Sequence, residues 1–366
     1  MAQNSKAEGN LDIKMKLLKI AIGIVALMCV GFFVFYVSWS HAAPEKTCLS
    51  CHELQTAYDD WTISSHRDIR CEECHGTALS SGWHSLTEKA GMVFSHVKDK
   101  GQSELQLTEL QVIEVMQRCR DCHENEYAGW LESGHSATYA DIFLNEKHNS
   151  IEQPYEDCLR CHGMFFEGPI EKVVEPLDNT GPLRLVTAEL HDRPVIPCLS
   201  CHNIHAQGVV AQRPDYSDPS RISYEREPRR VKASFYDRRD KFHFAAQDLP
   251  TPRIVDVDGE AIIVSDDERQ RLCAQCHAPN AFHQIGTSDD RTPRGVHEGF
   301  SCLACHETHT HDARQSCGQC HPIMSNCGLD VKTMNTTFST PDSPHNIHFV
   351  ACEDCHTSGI PTIYDP

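Results

Sequence analysis

The sequence predicts one N-terminal membrane-spanning helix followed by a larger region of short α-helices and irregular loops with little β-structure. Three observations carry this expectation. Residues 20–37, "IAIGIVALMCVGFFVFYV", run for eighteen residues without a charge. Eighteen of the 20 cysteines in this 366-residue chain fall into nine C-x-x-C pairs, each followed directly by histidine. The intervals between successive starts are 23, 48, 39, 40, 75, 29, 15 and 35 residues, so what repeats is the short unit and not a solenoid of fixed period. A formal net charge of −19 argues against a nucleic-acid partner.

The apolar run, extended by Leu17 and Leu18, is long enough at about 1.5 Å per residue to cross most of a bilayer core, whereas a cleavable signal has a core of about 7 to 15 residues. "SHAAP" after it offers a small-residue site around Ala42, with Pro44 close behind, and retention as an anchor is the expectation. Lys6, Lys14, Lys16 and Lys19 precede the run, so the positive-inside rule leaves residues 1–16 in the cytoplasm, a span over 17–39 and everything beyond about residue 40 outside. In a bacterium that is a single-pass protein of the cytoplasmic membrane facing the periplasm. Trp39 then reads as an interfacial residue. Cys29, inside the run, reads as inert packing, and Cys327 as a free thiol.

Cysteine at this density is compatible with disulfides, zinc modules or covalent haem, and the spacing chooses among them. With histidine at 24 of 366 positions, nine successes in nine are expected by chance on the order of 10^-11. A zinc ribbon has no use for a histidine fixed at the next position, whereas C-x-x-C-H is the attachment signature of c-type haem. The cysteines form thioethers with the haem, and the histidine becomes the proximal iron ligand. The attachment residues are Cys48, Cys51, Cys71, Cys74, Cys119, Cys122, Cys158, Cys161, Cys198, Cys201, Cys273, Cys276, Cys302, Cys305, Cys317, Cys320, Cys352 and Cys355. The proximal ligands are His52, His75, His123, His162, His202, His277, His306, His321 and His356. The fold class is therefore that of a multihaem cytochrome c, with nine c-type haems. Roughly 36 residues per haem are too few to build a separate core around each, so the haems pack against one another.

Fifteen further histidines can supply second axial ligands. Histidine stands five residues before the first cysteine in "HRDIRCEECH" and "HEGFSCLACH", and His345 and His348 hold a similar place in "HNIHFVACEDCH". Such a histidine is poorly placed for the iron of its own unit and is expected to cross to a neighbouring one. "WTISSH" and "WLESGH" both set tryptophan five residues ahead of histidine. The distal candidates are His66, His84, His96, His135, His148, His191, His205, His297, His309, His311, His345 and His348; His41, His243 and His283 fit no pattern. Met164, two residues beyond His162, is a weaker alternative ligand.

Local elements can also be placed. "LTELQVIEVMQRC" is helical in pattern, with Leu110, Ile113 and Gln117 on one stripe. "RIVDVDGEAIIV" (253–264) reads as a β-hairpin turning at Asp258 and Gly259. Ser265 is expected to cap a helix with Glu268 at the capping-box position, so that the sixth unit ends that helix. Within the 75-residue interval, Arg226, Arg229, Arg230, Lys232, Arg238, Arg239 and Lys241 read either as partners of acids and haem propionates or as an anion-docking patch.

"CLSCHELQTAYDDWTISSHRDIRCEECHG", "EKAG" and "CRDCH", behind a basic leader and one apolar helix, resemble the NapC/NirT/NrfH family of membrane-anchored quinol dehydrogenase cytochromes over about residues 12–125. The resemblance implies oxidation of a quinol at the membrane face and a place in anaerobic respiratory electron transport, with Lys89 near the quinol pocket. The family often carries a methionine where Leu54 stands, and has four or five haem units against nine. The organisation expected is a NapC/NirT-like three-haem region over 40–140 and a six-haem region over 141–366, with an insertion at about 206–270. Two roles stay open: an electron conduit from the quinol pool to a periplasmic redox protein, or a terminal reductase or oxidase of a small nitrogen or sulfur compound with one open haem. All nine units end in histidine, which favours the conduit.

Overall fold

A computed structural model describes residues 2–40, 49, 54–75, 107–150, 153–178, 181–205, 233–255, 259–277, 292–310 and 348. The chain divides into two compact units, one of Met1–Asp59 and Ile69–Leu105, the other of Asp60–Asp68 and Gln106–Pro366. Regular structure among the described residues is mostly helical, with two short two-stranded sheets.

In the first unit, helix α1 (Ala2–Ser40) continues through the basic leader. Its stretch Lys14–Ser38 has a mean hydropathy of 2.7 and is nowhere buried, which makes it long and apolar enough to cross a membrane. Helix α2 (Gln55–Thr62) follows, and α3 (Cys71–His75) is the second haem-attachment unit itself, with Glu72 and Glu73 in its first turn, where the helix dipole favours negative charge.

The second unit holds two principal apolar clusters. Helix α4 (Glu109–Cys119) starts at a capping box between Thr108 and Gln111 and ends in the third unit. Its buried stripe is Glu109, Val112, Val115 and Met116, while Leu110 is about half exposed and Gln117 is exposed. The expected stripe of Leu110, Ile113 and Gln117 is thus rotated, because Val112 and Val115 pack with Met164, Phe165, Leu199, Phe235 and Tyr236. Helix α5 (Glu124–Glu132) and α6 (Tyr139–Phe143) lead into the second cluster, in which Tyr139 and Phe143 join Leu159, Ile170, Val173, Val174, Leu190 and Val195. Strands β1 (Val174–Glu175) and β2 (Arg184–Leu185) close over it. After a further short helix, α7 (Glu146–Asn149), the fourth and fifth units lie on 3-10 turns at Glu156–Arg160 and Cys198–Ser200.

Within the basic interval the chain forms a hairpin of β3 (Ser234–Asp237) and β4 (Phe242–Ala245), paired from Ser234↔Ala245 to Asp237↔Phe242. Its turn is held by Asp237, whose Oδ1 accepts from the backbone N–H of Arg239 and Asp240, and by Lys241 at φ 52. Arg238 donates to Glu156 at 2.9 Å and Arg239 pairs with Asp157, so these two cations grip the acids that precede Cys158. The residues 226–232 of the basic run lie outside the described residues. Among the described residues of 253–264 the bridge Val255↔Ala261 and the bond from Ile262 N–H to Ile254 C=O at 2.9 Å form in place of full strands, and residues 256–258, Asp258 included, lie outside the described residues.

Helix α8 (Glu268–His277) ends in the sixth unit, as expected, but it starts behind Asp267 and not behind Ser265. The Asp267 carboxylate takes the cap by accepting from Arg269 N–H at 3.1 Å, and the Ser265 hydroxyl instead accepts from Asp267 N–H. Asp267 also receives the Arg269 guanidinium and, at 2.7 Å, the hydroxyl of Ser301, the cap of α9 (Cys302–Cys305). One carboxylate therefore ties the sixth unit to the seventh.

Two predictions come from this packing. Tyr139, fully buried, donates to Glu109 Oε1 at 2.5 Å, and Arg193 donates to Glu109 Oε2 at 2.5 Å. Tyr139→Phe is expected to cost about 1 to 3 kcal/mol in denaturant unfolding by leaving a buried acceptor short of a donor. Burial raises the pKa of Asp267, but its bonds from Arg269 and Ser301 outweigh that and hold it below the usual 3.8. Its contribution is therefore present above the unfolded value and lost as pH falls through the lower folded one. Asp267→Asn is expected to cost about 2 kcal/mol near neutrality, a difference from wild type that closes as acid unfolding is followed below about pH 4.

Candidate haem centres

Six of the nine C-x-x-C-H units lie among the described residues. The units at 48–52, 317–321 and 352–356 do not, apart from Leu49, and neither do Lys89, His84, His96, His311, His345 or the side chain of His148. In the third, fourth, fifth and seventh units the histidine N–H donates to the carbonyl of the first cysteine, at 2.9, 2.8, 3.1 and 2.8 Å. This is one turn of helix, and it places both cysteines on one side with the histidine beside them.

Burial pushes Cys198 up to about 11 and Cys201 up to about 12, while the hydrogen bond with Cys302 lowers Cys273. No group of three or more histidine, cysteine, aspartate or glutamate side chains converges on a point among the described residues. The donor set therefore does not assemble a zinc cage there.

What it does assemble is pairs of imidazoles. His123 faces His66 with ring centres 6.2 Å apart, His277 faces His135 at 6.2 Å, His202 faces His309 at 5.9 Å and His306 faces His348 at 5.9 Å. With a metal–nitrogen bond of about 2 Å and a ring centre about 1 Å further back on each side, a six-coordinate iron needs ring centres roughly 6 Å apart. The four pairs fit this requirement, and each joins a motif histidine to one of the distal candidates. In every case the second imidazole comes from a different segment: His66 precedes the second unit but faces the third, and His135 follows the third but faces the sixth.

His66 and His135 are presented by the same turn. In "WTISSH" the Ser64 hydroxyl donates to Trp61 C=O at 2.8 Å and accepts from His66 N–H at 3.1 Å; in "WLESGH" the Ser133 hydroxyl donates to Trp130 C=O at 2.8 Å and accepts from His135 N–H at 3.2 Å. The indole N–H of Trp130 donates to Ile196 C=O at 3.1 Å and anchors the second copy. The tryptophan spacing was visible in the sequence, but the serine that forms the turn was missed, although W-x-x-S-x-H is legible in both copies.

His309 depends on Gly129. A Cβ there would stand 2.8 Å from His309 O and 3.2 Å from Thr310 Cγ2, so only glycine lets α5 approach the segment carrying His309. Burial lowers the pKa of His309 and of His205, keeping neutral the form of imidazole that ligates iron. His205 lies near Asp60 and His66. His191 is exposed with Nδ1 2.8 Å from Asp192, and is not brought beside a motif histidine among the described residues; His297 has its ring 6.0 Å from that of Phe300. His243 Nε2 lies 2.8 Å from Leu199 C=O between Phe165 and Tyr236, and Met164 is buried in that same cluster.

A family model described as cytochrome c554 and c-prime matches residues 118–180, which span the third and fourth units. The cytochrome c-type protein NrfH of Wolinella succinogenes is 26% identical over 46% of this chain and 96% of its own length. The cytochrome c-type protein NapC of Escherichia coli strain K12 is 24% identical over 43% of this chain and 88% of its own. No solved structure matches. Taken with the repeated attachment units and the paired imidazoles, these matches support a multihaem c-type cytochrome that is similar to NrfH and NapC over a little under half of its length.

Proposed function

We propose that this cytochrome carries electrons from the quinol pool of a bacterial cytoplasmic membrane, through nine covalently attached c-type haems, to a redox protein in the periplasm. The observation that carries the reading is the set of four imidazole pairs. A bound c-type haem supplies one-electron exchange, and an iron held on both faces suits a carrier, since only an electron has to enter or leave. The cysteines of each unit attach the group, and the motif histidine holds one face of it. His66, His135, His309 and His348 hold the other face at the third, sixth, fifth and seventh units. The Ser64 and Ser133 turns fix the direction of two of these ligands, and Gly129 leaves room for a third.

The membrane end of the reading rests on the apolar helix, on the lysines before it, which keep the N-terminus cytoplasmic, and on the family resemblance, which puts Lys89 beside a quinol. The net charge of −19 gives a periplasmic partner with a basic face a favourable approach.

Two measurements test the proposal. His135→Ala and His66→Ala are each expected to convert one haem's worth of low-spin ferric signal to high-spin and to admit cyanide, with total haem unchanged; a wild-type spectrum in either variant overturns that ligand. The protein in liposomes is expected to be reduced on addition of a menaquinol analogue, several-fold more slowly after Lys89→Leu. Haems that stay oxidised with the analogue present sink the quinol assignment.

A further inference from the structure

The two variable positions inside C-x-x-C-H normally carry no chemistry, yet the fourth and sixth units are joined through theirs. Arg160, in "CLRCH", donates from Nη1 to Gln275 C=O at 2.8 Å and from Nη2 to Gln275 Oε1 at 2.9 Å; Gln275 is the corresponding residue of "CAQCH". Gln275 is itself held by its own Nε2, which donates to Arg271 C=O at 3.2 Å. The Arg160 guanidinium lies over the Phe235 ring at 5.2 Å. Arg160 is only 9% exposed and Gln275 only 4%. The thiols of Cys161 and Cys276, one residue on, are within hydrogen-bonding reach of each other.

Both partners of the Arg160 guanidinium are neutral. No carboxylate among the described residues pairs with it, and Arg271 next to it donates only to the backbone carbonyls of Gln247 and Leu249. Of the cations around these units, Arg269 is paired with Asp267, Arg238 with Glu156 and Arg239 with Asp157. A buried cation without an anion is costly, and a chain with 52 acidic residues has carboxylates to spare. A charge left uncompensated between two haem-attachment units acts on the haems. It stabilises the reduced state, in which the iron carries one positive charge fewer.

Resting on the electron-carrier reading above, we infer that Arg160 is a positioning residue that clamps the haems of the fourth and sixth units into one pair and raises their reduction potential. Electrons entering the chain collect at this pair, although the two units stand 115 residues apart in sequence.

The test is a spectroelectrochemical redox titration of the full chain in detergent, with haem attachment at each cysteine pair verified by peptide mass spectrometry. Arg160→Gln removes the charge, and Gln275→Glu, nearly isosteric, neutralises it in place, so the second variant serves where the first does not mature. Both are expected to move a two-haem share of the titration curve to lower potential, while Arg160→Lys, which keeps the charge, titrates as the wild type. The inference is overturned if a fully loaded charge-neutralising variant titrates as the wild type, or if Arg160→Lys shifts as far as Arg160→Gln. Haem missing at Cys158 and Cys161 or at Cys273 and Cys276 in the wild-type protein would instead sink the carrier reading, independently of Arg160.

Discussion

The pairing of a motif histidine with a histidine from a distant segment is the constraint around which the larger unit of this protein is arranged. With nine haems as proposed, the chain would have too few residues per haem to surround each with its own apolar shell, and its short elements would serve mainly to aim ligands. The 3-10 turns and short helices each deliver one side chain to one place. Their ends are secured locally, by the Thr108–Gln111 capping box, the Asp267 cap and the serine turns after Trp61 and Trp130. The apolar clusters around Val112 and Tyr139 lie between these deliveries and fix their spacing.

The attachment units were legible because covalent chemistry demands a fixed local spacing, and local spacing survives in sequence. The apolar helix was legible because bilayer thickness sets the length of such a run. The start of α8 was misplaced by two residues because Ser265 and Asp267 are both good caps, and the choice fell to a tertiary contact, Ser301, that lies 34 residues away. The rotation of the α4 stripe has a similar origin: Glu109 is buried because Tyr139 and Arg193 satisfy it, and no period of apolar residues reveals that.

The identity of the facing histidine is the least legible feature. The patterns before and after the units picked out His66, His135, His309 and His348 among others, but which unit each one faces is decided by packing between distant segments. Gly129 illustrates the difficulty: within its helix it reads as a weak helix former, and its reason is the backbone of residue 309. Arg160 and Gln275 were likewise passed over, since positions inside the unit carry no pattern of their own.

The imidazole pairs also define a topology. In chain order, the interval from His135 to His277 contains His202 but not its partner His309, and the interval from His202 to His309 contains His306 but not His348. Joined through iron as proposed, the three pairs would close rings that overlap like the links of a chain, with none nested inside another. Opening either of the first two would leave a segment still tied within the next. During synthesis, which runs from the N-terminus, each linked ring must also wait for a residue that emerges after the following ring has begun, so the three are completed in sequence and the last of them only when residue 348 arrives.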